Sequence, residues 1–323
     1  MSFALWIPFM FVALVANLTE LNRQYRWITF TLLILGDLVV LLAALASVSV
    51  MLLSDFAELP LDIMPFVPRW GTTAAFLAVT AILALLPLFG AVRRLLARWL
   101  DTDPESSVHT TALVFAVYLV GLTLSQIPLI GGLEGLGNLD IRLGSGQLWA
   151  QALALLLLGL IGVGLGLRRN AAETADRLGL RWPSWKAWLG ILGLLILFQS
   201  LDFGVAMLWQ AWDPATYELI GRISESLFGG FMTPLGALAV GIAAGVSEET
   251  LFRGALQPRF GILVTSLLFA VSHLQYAFTP ATLVILIIGL SLGWVRKRWG
   301  LPAAIALHAL YNIVNLLLST FWP

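Results

Sequence analysis

The strongest constraint in this sequence is a succession of apolar stretches, each close to 20 residues long, separated by short polar connections. A helix needs about 20 mainly apolar residues to cross the hydrocarbon core of a bilayer. On that criterion ten spans are expected: 2–18, 28–53, 72–92, 110–130, 147–167, 187–212, 234–256, 261–278, 281–297 and 301–320. None alternates apolar and polar residues as the strands of a membrane β-barrel would. The expected fold class is therefore all-α, a polytopic transmembrane helical bundle. Charged residues are only 11% of the 323, against about 25% in soluble domains. That shortfall excludes a soluble enzyme and a disordered chain. A formal net charge of zero excludes a nucleic-acid partner, which would call for a basic surplus. With no cysteine there is no disulfide framework, thiol nucleophile or cysteine-ligated metal.

The basic residues set the topology. If the N-terminus lies outside and the connections alternate, 14 of the 18 Lys and Arg fall in connections on one side. These include Arg23 and Arg26, Arg93, Arg94 and Arg98, five within 168–186, Arg259, and the run 296–298. The other side has only Arg69, Arg142 and Arg222, while Arg253 lies inside a span. Cytoplasmic loops carry such an excess, so the rich side is expected to face the cytoplasm. The first stretch lacks the basic start and small-residue cleavage site of a signal peptide and is taken as a span. Trp27, Trp70, Trp99, Trp182, Trp185, Trp212, Trp299 and Trp322 stand near span ends, where interfacial anchoring accounts for them.

Seven ionisable groups remain at membrane depth: Asp37, Asp202, Glu248, Glu249, Arg253, His273 and His308. A central Asp, Lys or Arg costs about 2.5–3.5 kcal/mol on insertion scales, and such groups are functional candidates facing the bundle interior. Five of the seven cluster in 248–308. In the seventh span, Glu248 and Glu249 point about 100° apart on a helix, so they cannot do the same job. Arg253 lies four residues after Glu249, in the favourable order for a pair on one face. Glu249 is therefore expected to pair with Arg253, which leaves Glu248 free to act as a general base or acid. The eighth span sets Phe269 and His273 on one face, and the tenth sets His308 and Asn312 on one face with Asn315 a turn further. Two donors on one face suit an oxyanion. Interhelical hydrogen bonding is the better account of Asp37 and Asp202, and suits Asn315 better than His308. At 1.5 Å per residue, Glu248 lies about 21 Å below the outer face, with His273 about 18 Å and His308 about 10 Å above the inner one. All three can meet in a water-containing cavity open to the cytoplasm.

Together, Glu248-Glu249-x-x-x-Arg253, Phe269-x-x-x-His273 and His308-x-x-x-Asn312 resemble the signature motifs of the CAAX-processing and bacteriocin-processing (CPBP) intramembrane proteases. This family is also called the ABI or type II CAAX prenyl endopeptidase family. The resemblance covers 234–320; the first 230 residues share only the multi-spanning character. It implies a catalytic helical core over 231–323 behind an N-terminal multi-spanning region of about six helices over 1–230. It also implies hydrolysis of a peptide bond of a membrane-associated protein or peptide by a glutamate-activated water. By motif position Glu248 would be the base, His273 would hold the water, and His308 and Asn312 would stabilise the oxyanion. Glu249, Arg253 and Phe269 would support them. The family is often named as metalloproteases, and Glu248, His273 and His308 could ligate zinc. The sequence lacks H-E-x-x-H, so a metal-free glutamate mechanism asks less of it. The expected setting is a multi-pass protein of a bacterial plasma membrane, in contact with membrane lipids and with its active site open to the cytoplasm. A non-proteolytic family-like protein, an immunity, scaffold or transporter component using Asp37, Gln199, Ser200 and Asp202, is the alternative. The Gly254–Gly261 connection, with Pro258, is expected to break the chain sharply. The 168–186 connection reads equally as an amphipathic segment on the membrane or a solvated linker.

Overall fold

The computed structural model describes residues 3–57, 67–139 and 141–319. Residues 2 and 320, at the ends of the first and last expected spans, and Trp322 lie outside the described residues. Within them the chain is helical, and the only β-type pairing is an isolated bridge between Leu165 and Arg169. Fourteen α-helices follow one another. They are α1 (Ile7–Leu21), α2 (Arg26–Ala57), α3 (Trp70–Leu85), α4 (Gly90–Leu96), α5 (Ser107–Leu129), α6 (Gly132–Gly137) and α7 (Ser145–Val163). Then come α8 (Ala171–Leu178), α9 (Trp185–Trp212), α10 (Pro214–Phe228), α11 (Pro234–Glu249), α12 (Gln257–Val271), α13 (Pro280–Trp299) and α14 (Leu301–Ser319). Among the described residues nine helices are long and apolar enough to cross a membrane, so the protein is an integral membrane helical bundle.

Nine differs from the ten expected because the seventh and eighth stretches form one continuous helical run, Pro234–Val271. At 1.5 Å per residue those 38 residues would reach about 57 Å if straight, almost twice the hydrocarbon thickness. The run is not straight: Gly261 has φ +76° and ψ 171°. Packing on α13 shows what this does. Gly289 lies beside Arg253 of the first limb and Ser266 and Phe269 of the second, while Gly293 lies beside Gln257 and Ile262. Along α13 the residue numbers rise in one limb and fall in the other, so the chain folds back at Gly261. The reversal comes at the far end of the expected connection, and the second limb ends at Val271, short of the expected 278. Only glycine readily occupies that backbone region, and nothing lies within 4 Å of a Cβ built on Gly261. Gly261→Ala is therefore expected to destabilise by backbone strain alone, about 1–3 kcal/mol, read from unfolding in mixed detergent micelles.

The bundle turns its apolar residues outward and its charges inward. Val39, Ile82 and Leu208 are more than half exposed, whereas Glu249 and Arg253 are wholly buried. That is the reverse of a soluble protein and follows from lipid being the solvent. Trp27, Trp99, Trp182, Trp185 and Trp212 are exposed, as anchors should be, but Trp299 packs against Trp294 and beside Gly190. The first helix is an integral part: Asn17 donates to the Ile161 carbonyl of α7 at 2.8 Å, and Thr19 bonds Thr29 of α2.

Two contacts set the site helices. On α11, a Cβ on Gly241 would stand 2.7 Å from the Ala309 carbonyl oxygen of α14, and one on Gly245 would stand 3.0 Å from that of Ile305. Glycines four residues apart thus let two backbones touch and bring His308 level with Glu249. Apolar packing also crosses residue 230. Leu113 of α5 shares a buried cluster with Phe252, Phe260, Leu268 and Phe269, and Ile191 and Phe198 of α9 share one with Ile288, Leu292 and Leu307.

Candidate active site

Glu248 and Glu249 are the last two residues of α11, and the chain then widens into a π-helical turn over Thr250–Leu256. Such turns are rare and gather at functional sites. The two carboxylates go separate ways, as their angular offset requires. Glu249 is fully buried: its Oε1 accepts from His308 Nδ1 at 2.9 Å, and its Oε2 lies 3.5 Å from Arg253 Nε. The pairing with Arg253 agrees with the sequence reading; the bond to His308 is additional. No sequence spacing could have shown it, because it joins α11 to α14 across the glycine contact. Arg253 also donates to the Gly289 carbonyl at 3.2 Å.

Glu248 faces a cavity. Its side chain is 17% exposed, and its Oε2 lies 3.9 Å from His273 Nε2. His273 follows the end of α12, two residues after Val271, rather than sitting within a span. Its Nδ1 is 2.8 Å from the Phe269 carbonyl oxygen. A carbonyl only accepts, so Nδ1 carries the hydrogen and Nε2 of the neutral ring presents its lone pair toward Glu248. The chain leaves the α-helix here and passes into a short 3-10 turn, and His273, Gln275 and Tyr276 line the cavity.

Phe269 sits among the charged groups. Its ring centre lies 4.5 Å from the Arg253 guanidinium carbon, 4.6 Å from the His273 ring and 5.7 Å from the His308 ring. Phe269→Leu removes a desolvated cation–π contact and is expected to destabilise by about 1–2 kcal/mol. Comparing its unfolding with that of Phe252→Leu, whose ring lies 6.0 Å from the same guanidinium, checks this: the second change should act less through the charge.

The cavity measures about 1370 Å³ and is lined by Glu248, His273, His308 and Asn312. It exceeds the roughly 300–1,000 Å³ of small-ligand pockets and so has room for a peptide segment. Arg168, Arg169, Arg177 and Arg259 line one end, and Met232, Leu316 and Ser319 the other. The four residues singled out in the sequence thus meet in one cavity. Asp37 and Asp202 are not among its lining residues. Both accept hydrogen bonds between helices: Asp37 from Tyr118 at 3.4 Å, and Asp202 from Tyr311 at 2.6 Å and Asn315 at 3.3 Å. Tyr311 had no signal in the sequence beyond its place beside Asn312.

Among the described residues no three His, Cys, Asp or Glu side chains come together as metal ligands. Zinc ligation would draw on Glu248, His273 and His308 Nε2; a ligating histidine commonly gives its other ring N–H to a carboxylate, as His308 Nδ1 does to Glu249.

The three motifs lie in a stretch that matches a family model. Residues 229–314 match the family model described as "Rce1-like: Type II CAAX prenyl endopeptidase Rce1-like". Over these residues the chain is similar to the Rce1-like family. The match contains all three motifs, from Glu248 to Asn312, and stops before Asn315. No curated protein and no solved structure matches the chain. The Rce1-like segment implies a membrane-embedded peptidase, and α1 to α10 lie ahead of it.

Proposed function

We propose that the protein is an intramembrane endopeptidase that cleaves a peptide bond of a membrane-associated protein or peptide with a water activated by Glu248. The observation that carries this reading is the 3.9 Å separation of Glu248 Oε2 and His273 Nε2 across the cavity. The gap is too long for a direct bond and suits one bridging water, which donates one hydrogen to each acceptor. Glu248 Oε2 is shielded from solvent and has no donor among the described residues, so a water also satisfies it.

The water oxygen attacks the substrate carbonyl carbon as Glu248 takes its proton. The carbonyl oxygen becomes an oxyanion facing His308 Nε2 and the Asn312 amide. With Nδ1 held by Glu249, Nε2 donates only from the doubly protonated ring. Glu248, Glu249, Arg253 and such a ring sum to zero charge. Collapse breaks the carbon–nitrogen bond, and Glu248 returns the proton to the leaving amine. Glu249 and Arg253 brace these groups without touching the substrate. The arginine-lined end of the cavity faces the cytoplasm and the N-terminus lies outside in this reading, which the bias of the basic connections supports.

The test compares membrane proteomes of cells carrying wild type and Glu248→Gln. Membrane-tethered precursors should accumulate only with the variant. A transporter built on Asp37 and Asp202 would survive the change, and identical proteomes would refute the reading.

A further inference from the structure

The 168–186 connection does not float as a free linker. It forms α8, which docks on the site helices. The helix is fixed at both ends by local chemistry. At its start, the Glu173 N–H donates to Asn170 Oδ1 and the Asn170 N–H to Glu173 Oε2, both at 2.9 Å, a capping box. At its end, Gly179 takes φ +80°, the usual left-handed stop. Leu178 and Thr174 are buried. Leu178 packs on Gly254 so closely that a Cβ there would lie 2.7 Å from Leu178 Cδ2.

Arg177 makes the specific contact. Its Nη1 donates to the Gly254 carbonyl and its Nη2 to the Ala255 carbonyl, both at 3.1 Å. These carbonyls belong to the π-helical turn that follows Glu249. In an α-helix the Gly254 oxygen would accept from the N–H of residue 258, but residue 258 is proline and has none. A guanidinium fork offers two parallel donors at the place where the backbone lost one. Among the described residues no carboxylate pairs with Arg177. Burial, with Arg259, Arg169, Arg296 and Arg168 nearby, pushes its guanidinium down to about 10, so it remains charged near neutrality. The same brace reaches the other catalytic helix: Leu301, the first residue of α14, donates its N–H to the Gly179 carbonyl at 2.9 Å.

We infer that Arg177 is a positioning residue: it supplies the hydrogen bond that Pro258 withholds, and so holds the turn that sets Glu248, Glu249 and Arg253 against His308. Its effect on turnover rests on the peptidase reading; its effect on the turn does not. Arg177 lies outside the matched 229–314, in the connection between α7 and α9.

The test uses the whole protein in lipid nanodiscs, with Arg177→Ala, Arg177→Lys, and Arg177→Ala combined with Pro258→Ala, which restores an N–H at 258. Hydrogen exchange of the amides of 250–257 reads the turn directly. Arg177→Ala should speed it about tenfold or more, Arg177→Lys should speed it less, and the double variant should return to within about threefold of wild type. On a membrane-tethered peptide cleaved in a Glu248-dependent way, kcat should fall about tenfold with KM nearly unchanged, and Pro258→Ala should restore it. Unchanged exchange in Arg177→Ala, or no recovery with Pro258→Ala, overturns the inference. So does a loss confined to KM, which would mark Arg177 as a substrate contact. Should Arg177→Ala fail to fold, recovery of folding by Pro258→Ala supports the role and persistent misfolding overturns it. If wild type and Glu248→Gln are equally inactive, the peptidase reading fails while the exchange result still decides about Arg177.

Discussion

Glu248→Gln is expected to lower kcat by about a hundredfold to ten-thousandfold, the usual contribution of a positioned general base, while leaving the fold intact. The amide keeps the shape of the carboxylate but cannot take a proton from water. Unfolding should shift by less than about 1 kcal/mol, because Glu248 Oε2 has no donor among the described residues and little native bonding is lost. The measurement pairs turnover of a membrane-tethered peptide with unfolding of the same preparation in mixed micelles. A variant that cleaves within tenfold of wild type would remove Glu248 from the chemistry.

Its neighbour should behave in the opposite way. Glu249→Ala strips the only carboxylate within ion-pairing distance of Arg253 and His308 among the described residues. Arg253 then sits fully buried without its ion pair, and His308 Nδ1 loses its acceptor. Breaking a buried pair from one side typically costs about 3–5 kcal/mol, so this variant should unfold far more readily than wild type or fail to accumulate. Glu249→Gln, which can still accept from His308, should lie between. Two adjacent glutamates would thus separate into one that turnover needs and one that folding needs. Near-equal effects of Glu248→Gln and Glu249→Ala on unfolding would contradict that division.

How far the sequence could be read depended on the range of the interaction. Apolar stretches declare helices because each span must satisfy its own backbone in lipid, and the spacing of Glu249 and Arg253 declares a pair because it lies within one helix. The reversal at Gly261 was less legible. The sequence showed glycine and proline over 254–261, and the break was expected across that connection, but which residue would carry it depends on a backbone angle that several glycines could have adopted. His308 bonding to Glu249 was hidden for a different reason: it follows from Gly241 and Gly245 letting α11 and α14 touch, a tertiary event between positions 59 apart. Asp202 was visible as a misplaced charge, yet its partners Tyr311 and Asn315 come from another helix. The role of α8 was hidden most completely, since an arginine in a basic loop satisfies the topology rule whether or not it touches the site.

The central claim is that Glu248 and His273 hold one water between them, and a double-mutant cycle tests it most directly. Turnover would be measured for wild type, Glu248→Gln, His273→Ala and the double variant on one membrane-tethered peptide. Groups that act as a unit are strongly non-additive, so the double variant should be no slower than the slower single one. Losses that multiply across the two positions would show that they act independently, and the shared water would be wrong.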